Sequence, residues 1–203
     1  MNNPLIIQKN LGGIVRKKDI EKQKCIKNSV VQLMLEEGFQ GTSIAKIAKA
    51  AGVSPATVYI YYENKEAMLR EIYKEYAEDI FQYLLENLSP DLSGEEIISE
   101  LIRRYYLFII NNQEVFHFTE QYSSCPILKS SCGSMRGPAN LNQLLTDLKD
   151  KQIINNFSND NLYAILFSPV KSIAIKNYDS ESIATERLDE LVSMLQKLLL
   201  KDC

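Results

Sequence analysis

Three features of this 203-residue chain predict an all-α fold of about nine helices. Apolar residues recur at the i, i+3, i+4, i+7 spacing of a helix that buries one face. The β-branched residues follow the same spacing and do not alternate as a strand would. Gly, Pro, Ser and Asn cluster between the periodic stretches, where helices start and stop. An apolar content of 45% is ample for a packed core. No apolar run approaches the ~20 residues that cross a bilayer, so no membrane is expected as a partner.

Taken in order, helix one is expected over Asp19–Glu37, with Ile26, Val30, Leu33 and Met34 turned inward and Gly38 as its stop. Arg16, Lys17 and Lys18 precede it in a basic arm, residues 1–18. Helix two is expected over Ser43–Ala51. Thr42 and Ser43 offer hydroxyl caps, and Ile44, Ile47, Ala48 and Ala51 share one face. Gly52 supplies the positive φ that ends it. Ser54 then caps helix three, Pro55–Tyr62, with Pro55 in the first helical position, where its missing N–H costs nothing. The intervening turn is only about three residues long, and Ala48 is small enough for two steeply crossing helices to approach.

Asn64 caps a long fourth helix, Lys65 to about Asn87, followed by a loop at Ser89–Gly94. Helices five to nine are expected near Glu95–Asn112, Glu114–Ser123, Pro138–Lys151, Asp160–Asn177 and Glu181–Lys201. Pro169 should kink helix eight or break its ladder near Phe167 and Ser168. The stretch Ser124–Gly137, rich in turn formers, is expected to be a loop.

The run from Gly38-Phe39 through Thr42-Ser43, Ile47-Ala48, Ala51-Gly52-Val53-Ser54, Val58-Tyr59, Tyr61-Tyr62 and Lys65-Glu66 to Leu69 resembles the helix-turn-helix of the TetR family of bacterial transcriptional regulators. Two positions depart from the commonest family pattern: Tyr62 stands where Phe is usual, and Met34 where helix one usually carries an aromatic. The resemblance implies an N-terminal DNA-binding domain, residues 1–64, and a ligand-binding and dimerisation domain, residues 65–203. It also implies a cytoplasmic, ligand-responsive repressor that binds an inverted-repeat operator in double-stranded DNA as a homodimer. The N-terminus agrees with a cytosolic location, since it lacks the long apolar stretch of a secretory signal.

Charge supports that division. Net charge is −3 overall, yet residues 1–74 carry twelve Lys or Arg against seven Asp or Glu, while the remainder carries eleven against nineteen. A basic N-terminal third suits a surface that faces DNA. A DNA reader needs small or polar groups near the start of its recognition helix and donors that grip phosphate on either side. Ser54, Pro55, Ala56 and Thr57 meet the first need, and Tyr59 and Tyr61 offer hydroxyls on the accessible side. By resemblance, Thr42, Ser43, Tyr59 and Lys65 would clamp the DNA backbone, and Ala56, Thr57 and Tyr61 would face bases.

The remainder is rich in aromatics without catalytic groupings. There is no nucleophile–base pair, metal cluster or phosphate-binding glycine loop, so neither an enzyme nor a cofactor is expected. His117 is the one histidine. The four cysteines form no CxxC pair; they read as free thiols, with a redox pair between Cys125 and Cys132 as the alternative. The aromatic group is either plain core or, by resemblance, the lining of a pocket for a small apolar or aromatic inducer. Tyr105, Phe108, His117, Gln121 and Phe167 are its candidate residues. Helix nine repeats Leu188, Leu191, Val192, Leu195, Leu198 and Leu199, a stripe that could pack inside its own domain. The resemblance implies instead that helices eight and nine meet their copies in a second subunit. A regulator governed by a protein partner, or by no small molecule, is the alternative function.

Overall fold

The computed structural model describes residues 4–128, 135–176 and 181–201, with side chains from residue 19 onward. Nine α-helices and one short 3-10 turn appear among them: α1 Pro4–Gly41, α2 Ile44–Ala50, α3 Pro55–Tyr61, α4 Lys65–Leu85, α5 Gly94–Asn111, α6 Gln113–Tyr122, the turn Pro126–Leu128, α7 Arg136–Asp150, α8 Asn159–Ile175 and α9 Glu181–Leu199. The α1 backbone is helical well before Asp19, where the sequence suggested a start. Its regular geometry breaks at Gly38, whose φ of 72° a side chain would resist. The α8 helix runs through Pro169 without an end there. Pro169 itself has no N–H to donate to the helical ladder.

The chain divides into two compact units, residues 1–73 with 117–129, and residues 74–116 with 130–203. In the first, α1 to α3 and the start of α4 enclose Ile26, Val30, Met34, Ile47, Val58, Met68, Leu69 and Ile72, all withdrawn from water. Burying each such side chain contributes about 1.5–3 kcal/mol as an upper estimate. The end of α6 belongs here too. Phe118 and Tyr122 are buried, and the Tyr122 hydroxyl donates to the Met34 carbonyl at 3.0 Å.

The second unit packs α5 against α8 and α9. Its core joins Leu101, Ile102, Tyr105, Leu145, Leu162, Leu166 and Val170 to five members of the α9 stripe, Leu188, Leu191, Val192, Leu195 and Leu199. Most of that stripe is therefore the chain's own core, and Leu198 alone of its members is exposed. The stretch before α8 lies alongside the end of α9. Ile154 and Leu200 form an isolated antiparallel bridge, and the Asn155 N–H donates to the Leu199 carbonyl at 2.8 Å.

The first turn of α7 is capped from another helix. Met135 offers no side-chain cap, and Glu78 of α4 instead accepts from the Arg136 and Gly137 N–H groups, both at 2.6 Å. Gly137 is required there, because a Cβ would lie 2.4 Å from that of Phe81.

Candidate nucleic-acid interface

The α2–α3 pair is built from local signals. Ser43, in extended conformation, accepts from the Lys46 N–H at 3.3 Å and starts α2. The helix ends with the Val53 N–H on the Ala48 carbonyl at 2.9 Å and the Gly52 N–H on that of Lys49 at 3.3 Å. This crossed pattern is the Schellman arrangement, and Gly52 carries its positive φ of 66°. Ser54 then accepts from the Thr57 N–H at 3.2 Å, and the Ser54 and Thr57 hydroxyls lie 2.9 Å apart. Within α3 only Val58 is buried. Ser54, Pro55, Ala56 and Tyr59 are exposed and Thr57 half-buried, so five of the expected contact residues are open to solvent in whole or in part.

Three others are committed elsewhere. Thr42 is 1% exposed, and its hydroxyl donates to the Gly38 carbonyl at 2.8 Å, closing the turn after α1. Its side chain caps the end of α1. Tyr61, half-buried, turns back toward α1, where its hydroxyl donates to the Asp19 carboxylate. That bond to the carboxylate, with some desolvation, pushes the Tyr61 phenol up to about 12. Lys65, half-buried, donates to the Phe39 and Thr42 carbonyls at 2.8 and 3.0 Å, with its ammonium 4.1 Å from the centre of the Phe39 ring. It braces the turn between α1 and α2. Ser43 remains exposed at the start of α2. Lys46 pairs with Glu37 at 2.5 Å across the same turn.

Two residues that the sequence did not single out stand out here: Ile60, at 76% the most exposed large apolar side chain among the described residues, and Asp19, the partner of Tyr61. The signal for Ile60 was its place four residues after Ala56, on the same helical face.

Of the candidate pocket residues, Tyr105, Phe108 and Phe167 are buried in the second unit. Tyr105 and Phe167 meet edge to face at 5.1 Å between centroids, and Tyr163 and Phe81 continue the chain of rings. Phe108 packs against Tyr83 at 5.6 Å. Burial pushes the Tyr163 phenol up to about 12, and its hydroxyl donates to the Pro138 carbonyl at 3.0 Å. His117 and Gln121 do not belong to this group. Both are exposed, and both fall in the first unit, because the buried face of α6 carries Phe116, Phe118, Thr119 and Tyr122. A groove of about 410 Å³ lies between α4 and α7, lined by Phe81, Leu85, Arg136 and Asn140 among others; it includes none of the five candidates. Cys25 and Cys125 are free thiols, and Cys132 lies outside the described residues. Among the described residues, no group of three or more His, Cys, Asp or Glu is arranged to hold a metal, and no helix is long and apolar enough to cross a membrane.

A short capped helix, a four-residue turn and a second helix with one buried residue and a broad exposed face form a helix-turn-helix. Residues 30–72 match the family described as "Bacterial regulatory proteins, tetR family". Over 106 residues, 52% of this chain and 55% of the relative, the sequence is 31% identical to the biofilm operon icaADBC HTH-type negative transcriptional regulator IcaR of Staphylococcus epidermidis. Alignments with the first two curated relatives cover 48% and 63% of their own lengths. The fold matches a TetR family transcription regulator from Marinobacter aquaeolei VT8 with a TM-score of 0.78 and 23% identity, covering 92% of this chain and all of that one. It also matches the transcriptional regulator FadR from Bacillus subtilis, crystallised with stearoyl-CoA, at a TM-score of 0.65 and 21% identity over 84% of this chain and 98% of that one. Residues 30–72 thus carry a TetR-family match, and the chain as a whole has the fold of the TetR-family regulators it resembles.

Proposed function

We propose that this protein is a homodimeric, DNA-binding transcriptional repressor that holds an inverted-repeat operator with α3 and releases it when the second unit takes up a small apolar ligand. The observation that carries the reading is the α2–turn–α3 unit, fixed by its caps and Gly52, with Ala56, Tyr59 and Ile60 turned to solvent. Such a helix fits a major groove. Ser43 and Tyr59 are placed to reach phosphates beside it. The family match over residues 30–72 and the likeness to a negative transcriptional regulator support the repressor role.

A second subunit would double the recognition helix and match a palindromic site. The surface proposed for that contact is the outer face of α8 and α9, with Ile175, Ile183, Met194 and Leu198 exposed. The ligand would enter the aromatic group around Tyr105, Phe108 and Phe167. Those rings pack on one another, so binding requires them to part, and an apolar chain would replace their mutual contacts. The fold neighbour crystallised with stearoyl-CoA supports an acyl ligand class. The helix α4 contributes residues to both units and is the proposed lever between the two events. The same close ring packing favours the second reading, control by a protein partner with no small molecule.

Two measurements test the proposal. Duplexes retained by the protein from a random DNA pool should converge on an inverted repeat, and recovery of unrelated sequences would overturn operator binding. Stearoyl-CoA should raise the melting temperature and lower operator affinity through one coupling free energy. A ligand that changes neither would leave the partner-controlled reading in its place.

A further inference from the structure

The centre of the outward face of α3 is hydrocarbon. At ~100° per residue, positions 56 and 60 lie about 160° and 200° round the helix from Val58, opposite the buried side. They are Ala56 and Ile60, both exposed. Tyr59 and Thr57 flank them, and the Thr57 hydroxyl already faces that of Ser54. The segment PATVYIY contains no charged residue, so α3 itself has no guanidinium or ammonium to bind the O6 and N7 acceptors of guanine. Tyr61, whose hydroxyl donates to Asp19, is turned from this face.

A hydrocarbon surface can recognise one thing in the major groove, the 5-methyl group of thymine. Leaving Ile60 in water forgoes the stabilisation that burial would give it. We propose that Ile60, seconded by Ala56, reads thymine methyl groups, so that the preferred half-site carries T·A pairs under the middle of α3. The inference rests on the DNA-binding reading and names the base feature that reading leaves open. It makes Ile60 a specificity residue.

The test uses the full chain and duplexes it has selected from a random pool. In each half-site every thymine is replaced singly by deoxyuridine, which removes the methyl group and keeps the pairing. Substitution at one or two positions per half-site should weaken binding about fourfold each, the transfer value of one methyl-sized group, while the other positions stay within twofold. Ile60→Ala should bind the parent duplex more weakly and lose its sensitivity to deoxyuridine at those same positions. Because Ile60 is exposed, its melting temperature should not move, which separates lost contact from lost fold. Half-sites without thymine beneath α3, deoxyuridine duplexes that bind as the parent does, or an Ile60→Ala protein with full methyl sensitivity would each overturn the proposal while leaving DNA binding intact. Failure to retain any duplex would overturn the DNA-binding reading beneath it.

Discussion

Replacing Lys65 with Ala distinguishes a brace from a phosphate clamp. The ammonium makes two hydrogen bonds, to the Phe39 and Thr42 carbonyls, and sits over the Phe39 ring. A hydrogen bond to a charged group contributes roughly 1.5–3 kcal/mol when enclosed, and half-burial places these two at or below the low end. The ring contact adds about 0.5 kcal/mol. Removing all three, with two carbonyls left to find water, should cost about 2–3 kcal/mol. For a chain of this size the corresponding drop in melting temperature is about 5–10 °C. Urea denaturation followed by circular dichroism gives the first figure, and a thermal scan gives the second. DNA affinity should fall as the turn between α1 and α2 loosens, with the salt dependence of binding retained. The reasoning is refuted if Lys65→Ala is as stable as the parent to within ~0.5 kcal/mol and its log–log salt slope is shallower by about 0.9, the mark of one lost phosphate contact.

Substitutions on α9 should divide by face: Leu195→Glu, in the core, should unfold the second unit, whereas Met194→Glu with Leu198→Glu should leave a folded chain that sediments as a monomer. A double variant that stays dimeric would move the interface off this face. The Tyr61 phenol, raised from 10.0 to about 12 by its bond to Asp19, should ionise late in an ultraviolet pH titration, and Asp19→Asn should bring it down. The stabilisation from that bond is full below pH ~10 and fades as pH rises through about 12, the sign expected of a raised folded-state pKa. Loss of a phenolate signal near pH 10 in Tyr61→Phe would contradict the bond. Gly137→Ala should destabilise by about 1–2 kcal/mol in chemical denaturation, because the added methyl meets Phe81 and Glu78 and the overlap outweighs the gain in helix propensity. A stabilised variant would mean that α4 and α7 part there without cost.

The helix-turn-helix was legible because its signals are local. Ser43, Gly52, Ser54 and Pro55 act within a few residues of themselves, and the structure keeps each in its expected role. The α6 candidates failed for a reason that periodicity contained. Gln113, Glu114, His117, Glu120 and Gln121 form a polar stripe at helical spacing, and the phenylalanines on either side of His117 drew it toward the core. Tertiary partners were the harder part. Nothing near Lys65 announces the Phe39 carbonyl 26 residues away, and nothing near Tyr61 announces Asp19. The Thr42 hydroxyl could equally have capped a helix or met phosphate until Gly38 turned its carbonyl toward it. The α9 stripe showed that a face is buried without showing against what, since a helix buries leucine identically in its own core and in a partner's.

On the proposed function, α3 meets DNA with the face opposite Val58. Ala56 lies at the middle of that face and is exposed, so Ala56→Glu adds a carboxylate where bases and phosphates would come, without disturbing the core. Operator affinity measured by fluorescence anisotropy should fall by more than about 100-fold, a cost near 3 kcal/mol, while the melting temperature stays within about 2 °C of the parent. A folded Ala56→Glu protein that binds the operator as tightly as the parent would contradict the account.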